Sequence, residues 1–179
     1  MTVPGTETVC GPSAAIPGHV ATLSAVPALL PDRDLVRMQE WPLRSFLELR
    51  ALPSSVRTAR MHARAMLNEW CLAALADTTE LLVSEIATNA VCASARIARQ
   101  RGAGQLPMRL WLTSDRRSVL IQVWDADRLQ PIPQDLGPDA ECGRGLLLVQ
   151  TLSAEWGYYP PDGPGHPSGK IVWARCELP

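Results

Sequence analysis

Apolar and polar residues alternate along residues 45–50, and this pattern predicts a short strand. The stretch that follows, residues 56–70, repeats its apolar positions at helical spacing and predicts an amphipathic helix with one buried face. The Ser54 and Ser55 hydroxyls stand where the N-terminal cap of that helix is expected. Three basic residues lie on its opposite face: Arg57, Arg60 and Arg64. A basic helix face is usually solvated, and docking of a partner is the alternative.

A second helix is predicted from Asp77 to about Arg99. Asp77 can cap its first turn, and Glu80 follows three residues later as in a capping box. Gly102 is expected to end the helix, because glycine tolerates the backbone conformation found there. The buried face is formed by small and aliphatic side chains: Leu82, Ile86, Ala90 and Ala93.

The second half of the domain alternates strands with loops. A polar turn separates two predicted strands and makes a hairpin, a loop rich in Pro, Gly and Asp follows, and a third helix opens at Gly143. The predicted strands are residues 108–113, 118–124, 156–159 and 170–177. The order β, α, α, β, β, α, β, β predicts an α+β fold, a two-layer sandwich with helices on one face of a mixed, mostly antiparallel sheet.

Residues 1–42 show neither a helical nor a strand period and are rich in proline: Pro4, Pro12, Pro17, Pro27, Pro31 and Pro42. Such a segment does not bury enough apolar surface to offset the entropy of ordering it. We therefore expect a disordered tail at residues 1–42 and one folded domain at residues 43–179. The alternative to disorder along the whole tail is docking of the apolar stretch 20–30.

The charge of the chain is nearly balanced. Its 179 residues include 17 Lys and Arg against 18 Asp and Glu, a net charge of -1. This balance argues against a protein that grips nucleic acid through many phosphates. No continuous apolar run or secretory leader is evident, so we expect a cytoplasmic protein that does not enter membranes. Of the basic residues, Lys170 is the only lysine.

Cysteine and histidine suggest no chemistry of their own. The five cysteines are scattered without a C-x-x-C pair, which argues against a zinc site and against a disulfide framework. The three histidines, His19, His62 and His166, lie far apart, and we interpret them as incidental surface residues.

Glu85 and Asn89 are the first polar residues whose position, in an otherwise apolar helix, needs an explanation. Four residues apart on the second helix, they stand on one face beside the buried stripe. A carboxylate and an amide oxygen stacked in this way can bind a hard cation such as Mg²⁺, which takes its remaining ligands from phosphates and water. The alternative is a solvated helix face with a surface hydrogen bond.

Asp125 is the second such residue. Alternation places it on the same apolar strand face as Val119, Ile121 and Val123. A carboxylate there costs several kcal/mol unless a donor meets it, and the exocyclic amine of a purine would be such a donor. A frayed, solvated strand end is the alternative.

Gly143, Arg144 and Gly145 open the third helix after the Pro/Gly/Asp-rich loop. Free N–H groups at a helix N-terminus and glycines that allow close approach are suited to phosphate binding, and Arg144 adds a cationic donor. Neither a P-loop nor a G-x-G-x-x-G motif is present, so the pattern is weak by itself.

The order of these segments, Ser84-Glu85-Ile86-Ala87-Thr88-Asn89, Val123-Trp124-Asp125, Gly143-Arg144-Gly145-Leu146 and Gly169-Lys170-Ile171-Val172-Trp173, resembles the Bergerat-fold ATP-binding family. The compact form resembles the small anti-sigma-factor serine/threonine kinases of actinobacteria. The resemblance covers about residues 44–178.

The resemblance implies ATP and Mg²⁺ as cofactors and assigns roles to six residues. Asn89 matches the Mg²⁺-binding asparagine, and Glu85 the carboxylate that acts as general base toward the incoming hydroxyl. Asp125 matches the aspartate that accepts from the adenine amine. Gly143, Arg144 and Gly145 match the glycine-bearing segment that holds the phosphates.

The implied function is an ATP-dependent regulator that sequesters a sigma factor and phosphorylates a Ser or Thr of a STAS-type antagonist, with a homodimer as a further expectation. The chain departs from the family pattern after Asp125, where Asp127 stands in place of the first glycine of D-x-G-x-G. This departure favours the alternative, a nucleotide-binding interaction module without phosphoryl transfer.

Overall fold

The computed structural model describes residues 41–131, 145–161 and 168–178. They form one five-stranded sheet in the order β1-β2-β3-β5-β4, with every neighbouring pair antiparallel. The strands are β1 (Leu43–Arg50), β2 (Pro107–Ser114), β3 (Ser118–Asp125), β4 (Glu155–Tyr159) and β5 (Lys170–Glu177). The predicted α+β sandwich is confirmed, and each predicted strand is found within a few residues of its expected bounds.

Among the described residues, three α-helices accompany the sheet: α1 (Pro53–Glu69), α2 (Ala76–Arg101) and α3 (Gly145–Leu152), with a short 3₁₀ turn (Ala73–Leu75) before α2. All three pack on one face of the sheet, here called the inner face. The core between the two layers consists of aliphatic side chains from helices and alternate strand positions, among them Leu67, Leu82, Ile86, Leu112 and Ile121. The helix-bearing layer therefore holds α2 centrally, against both α1 and the sheet.

Strand alternation divides the side chains of the sheet between the inner face and the opposite one, here called the outer face. On β3, Val119, Ile121 and Val123 join the inner core. Asp125, two residues further on, therefore lies on the inner face, as the sequence pattern predicts. Trp124, which points the other way, belongs to a separate apolar cluster on the outer face.

Neither long helix begins with the cap that its sequence suggests. Helix α1 starts at Pro53, earlier than expected, because proline suits the first helical position, and no side chain caps it. Helix α2 starts at Ala76 without a side-chain cap. Asp77 and Glu80 instead accept hydrogen bonds of 2.6 and 2.5 Å from Arg64 of α1. The predicted capping box is therefore wrong, because both carboxylates bind Arg64 of α1 and neither caps the first turn of α2.

Part of the basic face of α1 takes part in the same contact between α1 and α2. Arg60 also reaches Glu80, at 3.2 Å, so two of its three arginines pair with α2 while Arg57 stays exposed. The end of α2 is as predicted: Gly102 has φ 59° and its N–H bonds to the carbonyl of Arg99.

His62 is not an incidental surface residue. It is half-buried on α1, with Nε2 2.6 Å from Ser45 Oγ on β1. Burial lowers the pKa of the His62 imidazole. The side chain thus ties α1 to the edge strand, while His19 and His166 lie outside the described residues.

The 29-residue segment Ala73–Arg101 is long and apolar enough to match a membrane span by length and composition. In this fold it supplies the central helix of the domain, and nine residues of α2 are buried. The apolar composition is explained by this packing, because a helix enclosed by a sheet and a neighbouring helix needs a wide apolar face.

Candidate functional site

Glu85 and Gly145 approach each other where α3 begins. A methyl group placed on Gly145 would lie 3.0 Å from Glu85 Cβ and 3.1 Å from Cδ, and would overlap the carboxylate. Only glycine therefore fits this position as the side chain of Glu85 now stands. Glu85 is half-buried, and burial raises the pKa of its carboxyl. The sequence segments 84–89 and 143–145 are thus neighbours in the fold.

Asn89 stands one turn further along α2 and is also half-buried. Its Nδ2 is enclosed and has no hydrogen-bond partner within the described residues. A buried amide without a partner costs about 1–3 kcal/mol, so a group that accepts from Asn89 would be stabilised here. This unmet donor is available to an acceptor of a bound ligand.

Asp125 is almost fully enclosed, at 1% exposure. The donor that meets it is the ammonium of Lys170, whose Nζ lies 2.9 Å from Oδ1. The backbone N–H of Asp127 donates to the same oxygen at 2.8 Å. Burial raises the pKa of Asp125 to about 6, although Lys170 opposes this shift. The carboxylate is therefore neither frayed nor solvated.

Asp127, which stands in place of the family glycine, extends this network. It is buried, pairs with Arg96 of α2, and has Oδ2 3.9 Å from Lys170 Nζ. Its Oδ1 also accepts from the N–H of Leu129 at 3.0 Å. Asp127 thus connects the end of β3 to β5 through Lys170 and to helix α2 through Arg96.

Arg96 connects the Glu85 and Asn89 side chains of α2 with the buried network around Asp125. It lies seven residues after Asn89 on α2, about 10 Å along the helix axis, and near the same face. The face of α2 that carries Glu85 and Asn89 therefore leads directly to the Asp125 network. Helix α2 thus links the Glu85 and Asn89 side chains to the buried Asp125–Lys170 pair through Arg96 and Asp127.

Of the six residues predicted for the site, the structure places four: Glu85, Asn89, Asp125 and Gly145. Gly143 and Arg144 lie outside the described residues. Sequence reasoning missed Lys170, Asp127 and Arg96. The single lysine of the chain and the aspartate at the glycine position of D-x-G-x-G pointed to Lys170 and Asp127, whereas no sequence signal pointed to Arg96.

Cys92, one turn after Asn89, is disulfide-bonded. The sequence argued against a disulfide framework, and Cys92 departs from that expectation. Cys71 and Cys176 are thiols, the first exposed and the second buried. Cys10 and Cys142 lie outside the described residues. Scattered cysteines give no pairing pattern that the sequence alone could reveal.

The family described as the histidine kinase-like ATPase domain matches residues 49–175 of this chain. The chain belongs to the histidine kinase-like ATPase family. The match spans every described element except the first residues of β1 and the last residues of β5, and it includes all residues of the candidate site. No curated protein matches the chain. Family membership implies ATP as the ligand of this ATPase domain.

The residues present fit a nucleotide. Gly145 has no side chain to displace the Glu85 carboxylate, and the enclosed Asn89 amide has an N–H without an acceptor among the described residues, which a phosphate oxygen would satisfy. Within the described residues, no three His, Cys, Asp or Glu side chains are grouped to hold a metal. A Mg²⁺ ion would therefore rest on the Asn89 amide oxygen and take its other ligands from phosphates and water.

Proposed function

We propose that this histidine kinase-like ATPase domain is an ATP-dependent regulator that sequesters a sigma factor and phosphorylates a STAS-type antagonist on Ser or Thr. The observation that carries the proposal is the approach of Glu85 to Gly145, one turn from the unsatisfied Asn89 amide. This arrangement sets a carboxylate beside the position expected for the phosphates. The resemblance to small anti-sigma-factor kinases supports the choice of partners.

Phosphoryl transfer depends mainly on positioning and charge neutralisation. Mg²⁺ bound at Asn89 would supply charge neutralisation at the phosphates. Glu85 is suited to orient and accept the proton of an incoming hydroxyl, because its raised pKa brings it nearer to working pH. Asp125, ionised at neutral pH, would accept from the adenine amine. We place the protein in the cytoplasm, where ATP and sigma factors occur, and propose that it acts as a homodimer.

Transfer of radiolabelled phosphate from ATP to a purified STAS-domain protein tests the kinase. We expect label on the STAS protein with the native chain, and at least a 100-fold loss with Glu85→Gln or Asn89→Ala. Glu69→Gln and Asn68→Ala, which change the same residue types at exposed positions of α1, are the matched controls and should transfer normally. Equal activity in the site and control variants would refute the assignment.

A nucleotide-binding interaction module without transfer is the second candidate. It is favoured by the Lys170–Asp125 bond and by Asp127, since both occupy the region where the family pattern has an open, glycine-bearing turn. Titration calorimetry with ATP, with and without Mg²⁺, separates the candidates when combined with the transfer assay. Binding of ATP together with absence of label on the STAS protein would support the module.

A further inference from the structure

The two ends of the candidate site differ in the hydrogen-bond partners that they lack. At the end that holds Glu85, the Nδ2 of Asn89 is enclosed and has no acceptor among the described residues. At the other end, Oδ1 of Asp125 already accepts from two donors, Lys170 Nζ at 2.9 Å and the backbone N–H of Asp127 at 2.8 Å. A bound ligand therefore supplies a missing partner to Asn89, but it meets an already bonded carboxylate at Asp125.

The strand register places the Lys170 ammonium beside Asp125. The two residues are direct partners across the antiparallel pair of β3 and β5, so their side chains leave the same face of the sheet at one level. Gly169 packs against the backbone carbonyl of Asp125 and the indole of Trp124, and a methyl group on Gly169 would overlap both. The ion pair is thus built into the sheet by the close approach and the register of the two strands.

Selection of one base over another depends on what the wrong base leaves unpaired. A buried site made to hydrogen-bond an N–H group of its substrate rejects an analogue without that group by about 10⁴–10⁵-fold, because a polar group of the protein then loses its partner. Asp125 keeps the Lys170 ammonium and the N–H of Asp127 with any base. The exocyclic amine of adenine therefore adds only one neutral hydrogen bond to a carboxylate whose charge is already compensated.

The Lys170 ammonium also changes which bases the site tolerates. It has three N–H donors, and beyond the bond to Asp125 its contacts are long: 3.4 Å to the carbonyl oxygen of Asp127 and 3.9 Å to Oδ2 of the same residue. A carboxylate without a cation would repel the O6 oxygen of guanine, whereas an ammonium beside it can donate to O6 of guanine or to N1 of adenine. An acceptor and a donor side by side thus suit both purines.

We propose that Lys170 removes base discrimination from this site, so that the domain binds ATP and GTP with similar affinity and selects its ligand through the triphosphate. The inference rests on the proposed nucleotide-binding function and extends its ligand from ATP to purine nucleoside triphosphates as a class. The groups that remain for selection are Glu85 and Asn89, beside the position expected for the phosphates. Lys170 is thus a specificity-determining residue and takes no part in phosphoryl transfer.

Titration calorimetry of the native chain with Mg²⁺ and three triphosphates tests the proposal. The ligands are ATP, GTP and purine riboside triphosphate, which is ATP without the exocyclic amine. We expect dissociation constants within about threefold of one another, because Asp125 stays paired in every complex. A preference for ATP of about tenfold or more over either of the other two would overturn the proposal. This comparison uses the native chain, so it does not depend on the folding of a variant.

Lys170→Met tests whether the ammonium is the cause. In this variant the adenine amine becomes a partner for a carboxylate that has lost its cation, so we expect ATP to bind at least about tenfold more tightly than purine riboside triphosphate. Arg57→Met, which removes a cation from an exposed position of α1, is the matched control and should bind the three triphosphates as the native chain does. Circular dichroism spectra verify that each variant is folded. Equal binding of ATP and purine riboside triphosphate by folded Lys170→Met would overturn the role of Lys170.

Failure of this inference is distinguishable from failure of the proposed function. A native chain that binds none of the three triphosphates refutes nucleotide binding itself, and the inference falls with it. A native chain that binds ATP but discriminates against GTP and purine riboside triphosphate retains the proposed function and refutes only the role assigned to Lys170.

Discussion

Lys170 Nζ lies 2.9 Å from Asp125 Oδ1, with the two side chains only 6% and 2% exposed. The two residues face each other directly across the antiparallel pair of β3 and β5. A buried pair of this kind gains Coulomb energy but loses the hydration of both charges, so its net contribution to stability is small. Removal of one partner is strongly destabilising, because it leaves a buried charge uncompensated.

Lys170→Met should therefore lower the free energy of unfolding by about 3–5 kcal/mol. The double variant Lys170→Met with Asp125→Asn should recover much of this loss, since no unpaired charge remains. Urea unfolding at neutral pH measures both. Arg57→Met, which removes a cation from an exposed position, is the control and should stay within about 0.5 kcal/mol of the native value. A similarly small effect of Lys170→Met would contradict the prediction.

The pH dependence of stability should carry the signature of Asp125. Its pKa is about 6 in the fold against 3.8 in the unfolded chain, so between pH 4 and 6 the folded state holds a proton that the unfolded state releases. The contribution of Asp125 to stability therefore falls as pH rises through this window, by about 3 kcal/mol, and is constant above it. Unfolding free energies of the native chain minus those of Asp125→Asn, measured from pH 4 to 7.5, isolate this contribution. A difference that grows with pH would contradict the sign.

Gly145→Ala should destabilise the domain by about 1–3 kcal/mol, because the added methyl group overlaps the Glu85 carboxylate. Combination with Glu85→Ala should restore part of the loss, since the overlapping atoms are then removed. Gly104→Ala is the matched control: its new methyl group meets nothing within 4 Å. Thermal unfolding of the four chains provides the comparison, and equal effects of the two single glycine substitutions would be inconsistent with the contact.

The described cysteines should fall into three reactivity classes. Cys71 is exposed and should react with iodoacetamide in the native protein. Cys176 is 2% exposed and burial raises its pKa, so it should react only after unfolding. Cys92 should react only after unfolding with a reductant, because it is disulfide-bonded. Peptide mapping after each treatment assigns the label; alkylation of Cys92 without reductant would contradict the disulfide.

Much of the architecture was accessible from sequence because the periods of helices and strands are local. The spacing of Glu85 and Asn89 places both on one face of α2 whatever surrounds the helix. The alternation along β3 likewise placed Asp125 on the face of Val123. Helix starts were less accessible: Asp77 and Glu80 suit a capping box, but Arg64 of another helix binds both.

The sequence by itself determined which residues share a face and the type and order of the elements, since these follow from backbone geometry over a few residues. Only the tertiary structure decided what those faces meet. The pairing of β3 with β5 brings Lys170 to Asp125 across 45 residues of chain, and the packing of α3 on α2 brings Gly145 to Glu85. Strand register and helix packing depend on the whole core at once, so no local period reveals them.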